Sequence, residues 1–138
     1  MKRKRLDEII RVDHAGEHGA IAIYKGQLSA LNLIGDKKTS FIISEMAEGE
    51  KVHAKEFDRL VKDRKIRPTA LMPLWNLAGY TLGVMSVIGG KDSVMACTEA
   101  VEEIIDKHYS DQIEELESSG QEKDILKTIK KFHAEEVE

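Results

Sequence analysis

Cysteine is almost missing from this sequence. Cys97 stands alone among 138 residues, so no internal disulfide can form and a reducing compartment is expected. Proline occurs only twice and aromatic residues make up 5%, a composition that favours helix over sheet. Positive charge is not in excess either. The formal net charge of −4 argues against a nucleic-acid partner, because phosphate binding needs a basic surface. No apolar run reaches the roughly 20 residues that span a bilayer. The basic start Met1-Lys2-Arg3-Lys4-Arg5 leads into acids and polar residues rather than the apolar core of a signal peptide, so no export is expected. That start suits an anionic membrane surface and a solvated helix terminus equally well.

What is present is charge, at 33% of residues, set around apolar stripes of helical period. The length fits one domain over 1–138, long enough for a real core. A first helix is predicted over 5–33, with Leu6, Ile9, Ile10, Ala20, Ile21, Tyr24, Leu28 and Leu31 recurring at three- and four-residue steps. Gly35 ends it. A second is predicted over about 39–63, with Thr39 or Ser40 near its start. Residues 64–73 form a connector broken by Pro68 and Pro73. The segment 73–88 is the most apolar and also carries Gly79 and Gly83, which suits a buried helix or one lying in a membrane interface. Gly89-Gly90 breaks the chain before a helix over about 91–118, and a last helix starts near Gln121. The fold class is therefore all-α.

Three of these stripes contain acids where apolar residues belong. Asp13 and Glu17 fall in the first stripe, Glu50 and His53 in the second, and Glu102 in the fourth helix. Glu136 lies on one side of the last helix with Ile125, Ile129 and Phe132 or His133. An acid in a core stripe is costly unless something pairs with it. Acid-x-x-His alone carries little weight, since about one match is expected by chance at ordinary residue usage. The matched depth of the acids carries more. Glu17 and Glu50 are 33 positions apart, and Glu102 and Glu136 are 34 apart, so each half reads as a helical hairpin with one acid on each arm. Four carboxylates aimed into one core would repel and stay protonated unless a cation held them. Metal bundles of this kind use a lone Glu from two helices and Glu-x-x-His from the other two. Glu17 and Glu102 fit the lone acids, and Glu50 with His53 fits the first pair. Glu136 would open the second, whose histidine would fall at position 139, after the last residue given. Carboxylate and imidazole ligands suit iron or manganese, and the lack of paired cysteines argues against structural zinc.

Three stretches carry a family resemblance: Arg11-Val12-Asp13-His14-Ala15-Gly16-Glu17, Arg67-Pro68-Thr69-Ala70-Leu71-Met72-Pro73-Leu74-Trp75-Asn76 and Ala100-Val101-Glu102-Glu103. Together they make the sequence resemble, over essentially its whole length, the demethoxyubiquinone hydroxylase family of ubiquinone biosynthesis. The resemblance implies a ferritin-like four-helix bundle of two antiparallel hairpins, with an extra apolar helix in the crossover. It implies a carboxylate-bridged site with two iron ions held by Glu17, Glu50, His53, Glu102 and Glu136. The implied reaction is O2-dependent hydroxylation of a polyprenyl methoxy-methyl-benzoquinol, demethoxyubiquinol. His108 and Tyr109 match a His-Tyr pair close to the family's iron and would support it or carry electrons. Leu71, Met72, Leu74 and Trp75 would meet the membrane or the substrate's isoprenoid tail, placing the protein peripherally on the inner, cytoplasmic face of a membrane. A homo-oligomer, or an association with other ubiquinone-biosynthesis proteins, fits the same picture. The family continues past the last acid with the histidine ligand and a further apolar helix. The given sequence lacks that part of the fold, and a chain ending there is expected to load metal weakly and turn over poorly. Two alternatives use the same residues. One is a ferritin-like metal-binding or peroxide-reducing protein without quinone specificity, for which the Pro68-to-Asn76 motif gives no reason. The other is a non-enzymatic helical interaction module, against which the buried acids count.

Overall fold

A computed structural model describes residues 3–136. Five helices account for nearly all of them: α1 (Arg3–Ile34), α2 (Lys37–Asp63), α3 (Met72–Ile88), α4 (Lys91–Ser119) and α5 (Lys123–Glu136). Helices α1 and α2 form one antiparallel hairpin and α4 and α5 another. Helix α3 lies in the crossover, so the arrangement is the expected all-α, ferritin-like one.

The first hairpin turns on Gly35, whose φ of 79° is left-handed and costs glycine nothing. Asp36 then caps α2, its side chain accepting from the Thr39 N–H at 3.0 Å. The cap therefore lies upstream of the Thr39 or Ser40 start read from the sequence. Thr39 is instead buried in the first turn, and the Ser40 hydroxyl donates to Asn32 Oδ1 at 3.0 Å. Helix α3 begins at Met72, one residue earlier than Pro73 suggests, because proline in a first turn forfeits no helical hydrogen bond. At the far end Gly120, at φ 65°, caps α4, and α5 starts at Lys123 rather than Gln121.

The glycines of the apolar segment are explained by packing. A Cβ on Gly83 would stand 2.0 Å from the Ile23 carbonyl oxygen, and one on Gly26 would stand 2.1 Å from that of Tyr80. Backbone meets backbone at both places, so α1 and α3 touch along a seam that admits no side chain. Trp75 sits at one end of the seam, where its indole N–H donates to the Ala15 carbonyl at 2.8 Å. Buried Gln27 reaches from α1 to Ser86 on α3 at 3.1 Å and to the Val94 carbonyl on α4 at 3.4 Å. Helix α3 is thus neither fully buried nor loose. One side is pinned to α1, while Leu74, Leu77, Leu82, Met85 and Ile88 on the other, and Leu71 just before the helix, are exposed. No helix among the described residues is long and apolar enough to cross a membrane.

The bundle core is filled by Leu6, Ile9, Ile10, Tyr24, Leu31, Ile43, Phe57, Tyr109, Leu116, Ile129 and Phe132. Burying each large side chain of this kind stabilises by roughly 1.5–3 kcal/mol. The His53 ring stacks on Phe132 at 4.1 Å between centroids, and Phe57 meets Phe132 edge-on at 5.7 Å, which joins α2 to α5. Arg5 clasps Glu115 with two bonds of 2.8 and 2.9 Å, joining α1 to α4 at the rim.

Candidate metal centre

Three of the acids in the apolar stripes converge with His53, while Asp13 and Glu102 lie outside the group. Glu17 on α1, Glu50 and His53 on α2 and Glu136 on α5 each bring one ligand atom within 4.8 Å of the others. His53 is the hub. Its Nδ1 lies 3.3 Å from Glu136, 3.7 Å from Glu17 and 3.7 Å from Glu50, while its Nε2 bonds to Glu135 at 2.7 Å. Glu135 therefore fixes the ring with Nδ1 turned inward. The side chains of Glu17, Glu50, His53 and Glu136 are 1%, 7%, 4% and 2% exposed, which shuts water out of the cluster.

Such a cluster is electrostatically frustrated by itself. Burial first, then the neighbouring Glu17, pushes the Glu50 carboxyl up to about 7 against the pull of His53. Burial and Glu50 do the same to Glu136, also to about 7. Burial alone would lower His53, but the carboxylates of Glu136, Glu17 and Glu50 around Nδ1 and the bond to Glu135 at Nε2 raise it to about 12. One imidazolium is thus shared among several carboxylates. Even so, Glu17 Oε2, Glu50 Oε2 and Glu136 Oε1 are buried with no hydrogen-bond partner. Orphaned buried carboxylate oxygens that face one another are what a cation would satisfy. Three carboxylates and one imidazole make a hard, oxygen-rich donor set that fits iron or manganese.

Glu102 on α4 stands just outside this tight group. It is half-buried, and burial followed by the charges of Glu136 and Glu50 raises its carboxyl to about 7, so it shares their field from the fourth helix. Tyr109 lies inside, its hydroxyl donating to Glu17 Oε1. Burial and the charges of Glu17 and Asp13 hold that phenol protonated. His108, the preceding residue, is exposed and takes no part in the cluster. Of the apolar contact residues, Leu71, Leu74 and Trp75 are 65%, 63% and 50% exposed, and Met72 is half-buried.

Some participants carry no mark of their own in the sequence. Tyr24 reads as an ordinary core residue. Yet its hydroxyl is buried without a partner, and after burial the charges of Glu50, Glu102, Glu136 and Glu17 all keep it protonated. Its place seven residues beyond Glu17 on the same stripe was the available signal. Gln112 donates to buried Asp13 at 2.7 Å, although burial still lifts Asp13 to about 8. Glu135 is equally unremarkable until α5 docks on α2.

Residues 4–138 match the model of the family described as ubiquinone biosynthesis protein COQ7. The chain is 46% identical over 139 residues to the Dictyostelium discoideum protein named NADPH-dependent 3-demethoxyubiquinone 3-hydroxylase, mitochondrial, covering 100% of this chain and 63% of that protein. The Homo sapiens protein of the same name is 46% identical over 140 residues, with the same two coverages. A Rhodospirillum rubrum protein named 3-demethoxyubiquinol 3-hydroxylase is 45% identical over 134 residues, covering 96% of this chain and 61% of that protein. The chain thus spans less than two thirds of the length of these relatives.

Proposed function

The chain belongs to the ubiquinone biosynthesis protein COQ7 family, and on that footing we propose that it is a di-iron monooxygenase hydroxylating a polyprenyl methoxy-methyl-benzoquinol with O2. The observation that carries this reading is the convergence of Glu17, Glu50, His53 and Glu136 with unpaired buried oxygens. Without a cation such a group leaves carboxyls protonated and oxygens unpaired at a cost to the core, and a cation relieves both. Relatives named as demethoxyubiquinone hydroxylases supply the reaction class.

In this reading Glu17, Glu50, His53, Glu102 and Glu136 hold two iron ions, which supply O2 activation for the ring hydroxylation. The remaining work falls to the chain. Glu135 holds the imidazole so that Nδ1 faces the ligands. Tyr109 fixes one Glu17 oxygen by donating to it, leaving the other free to ligate. Conserving ligand orientation through such partners is worth about 10–100-fold in metal affinity. The supporting role expected of the His108-Tyr109 pair rests on Tyr109, since His108 faces solvent. The exposed apolar face of α3 is the docking surface for a membrane, where a substrate with a long isoprenoid tail resides. Mitochondrial names among the relatives and the lack of a spanning helix in the described residues are compatible with a protein held at such a surface.

Anaerobic titration of the purified protein with Fe2+, followed by turnover of a short-chain quinol under O2, tests the reading. Glu50→Ala should bind less iron and lose hydroxylation; retained turnover would remove the site assignment. Peroxide consumption with no quinol hydroxylation would favour the general ferritin-like alternative. Leu71→Glu with Leu74→Glu should abolish co-sedimentation with liposomes, and unchanged binding would remove the α3 assignment. Leu71 and Leu74 suit this test better than Trp75, whose indole also anchors α1.

A further inference from the structure

A second cluster of metal-ligating side chains lies at the edge of the bundle and shares no residue with the first. His14 and His18 occupy the same face of α1, one turn apart. Asp58 faces them from α2. Its Oδ1 lies 2.8 Å from His14 Nε2 and 2.7 Å from His18 Nε2, and all three ligand atoms fall within 4.8 Å of one another. We propose that His14, His18 and Asp58 form a separate surface site for one divalent transition-metal ion of the zinc class.

Four features carry the assignment. Two imidazole nitrogens and one carboxylate oxygen, drawn from two helices, are the three protein ligands of an open zinc site, with the remaining position left to water. Both rings present Nε2. The Nε2 atoms already face the Asp58 carboxylate and the His14 Nδ1 is buried, so an ion reaches His14 through Nε2 by entering between it and Asp58. The rings are tilted by 58° with centroids 4.6 Å apart, so their lone pairs can meet at a point without the rings clashing. Exposure is graded, with side-chain values of 9% for His14, 29% for His18 and 52% for Asp58. The imidazoles are thereby held and the carboxylate is free to adjust. Ligand atoms around tetrahedral zinc stand about 3.3 Å apart, so seating an ion needs Asp58 to withdraw by about half an ångström.

The order His14-x-x-Glu17-His18 is that of zinc helices in which the glutamate acts as general base. Here Glu17 is turned into the core and committed to Tyr109 and the inner cluster. The site is therefore assigned to binding, without hydrolysis. An ion there bridges α1 and α2 from outside, held by the residue next to Glu17.

Zinc titration of the full chain, with long-range proton–nitrogen NMR of the imidazoles, tests this. In Glu50→Ala protein one equivalent of Zn2+ should shift Nε2 of both His14 and His18. Asp58→Asn keeps a carbonyl to accept both hydrogen bonds but loses the charge. It should bind one zinc fewer than its parent and leave both Nε2 signals unmoved, and His18→Gln should lose the same equivalent. The proposal is overturned if Zn2+ leaves both imidazoles unshifted in the parent. It is also overturned if Asp58→Asn binds as many equivalents as its parent, because the three residues then form only a hydrogen-bonded clamp. The readout follows His14 and His18 alone, so its failure leaves the inner site untouched.

Discussion

Glu17, Glu50, His53 and Glu136 meet inside the bundle, and His14, His18 and Asp58 meet at its edge, with α1 and α2 contributing to both groups. The inner group has three carboxylates to one imidazole, and the outer has one carboxylate to two. Inside, burial and mutual repulsion lift Glu50 and Glu136 to about 7. Outside, burial also pushes Asp58 upward, but the bonds from His18 and His14 outweigh it and hold the carboxyl below its usual range. In the outer group the Asp58 carboxylate is already paired with both Nε2 atoms, so a cation there is an addition. The inner group is left with unpaired oxygens, and a cation there completes the core. The ratio of acid to imidazole, and access to water, separate the two cases.

The largest expected effect is at Glu50. Glu50→Gln removes a buried charge from the frustrated group. Urea unfolding of metal-free protein at pH 8 should show a gain of about 1–3 kcal/mol, while stabilisation by added Fe2+ or Mn2+ should disappear. A loss of metal-free stability would mean that the acids do not repel, and the contrast would fail.

The pH dependence should be next in size. Folded Glu50 and Glu136 keep their protons up to about 7, whereas the unfolded chain releases them near 4.5. Between these values the native state holds more protons, so stability falls as pH rises. His53, raised to about 12, is protonated only in the native state above 6.5 and extends the fall in the same direction. Melting temperature in chelator should therefore drop from pH 5 to pH 8. Bound metal requires the deprotonated carboxylates, so with Mn2+ present the slope should reverse.

Tyr109→Phe should act more weakly. It leaves a buried Glu17 oxygen without its donor and should cost about 1–2 kcal/mol in thermal unfolding, with metal affinity at the inner site down by about tenfold. The smallest effect belongs to the outer cluster. Asp58→Asn should change metal-free stability by less than about 1 kcal/mol, since the carboxylate is half exposed and its hydrogen bonds survive. A larger loss would show that the outer clamp matters to the fold.

Most of the helices were legible because each is written in its own residues. The stripe Leu6, Ile9, Ile10, Tyr24, Leu31 needs only a helical period to be found, and Glu17, Glu50 and His53 stand out because they interrupt such stripes. The ends were less legible. Asp36 takes the cap that Thr39 or Ser40 suggested, because its side chain at the turn accepts from the Thr39 N–H and lets the helix start at Lys37. His108 and Tyr109, adjacent in sequence, are separated by burial, since neighbours on a helix point about 100° apart.

The sequence by itself therefore determined the all-helical class, the buried faces and the acids that must turn inward, since these follow from the spacing within one helix. Only the tertiary structure decided that Glu135 would hold His53, that Gly26 and Gly83 would bring two backbones together, that Glu102 would stand slightly apart, and that Asp58 would meet His14 and His18. Those pairings depend on how far one helix slides and rotates against another. That register is set by the whole packed interface, and no local repeat records it.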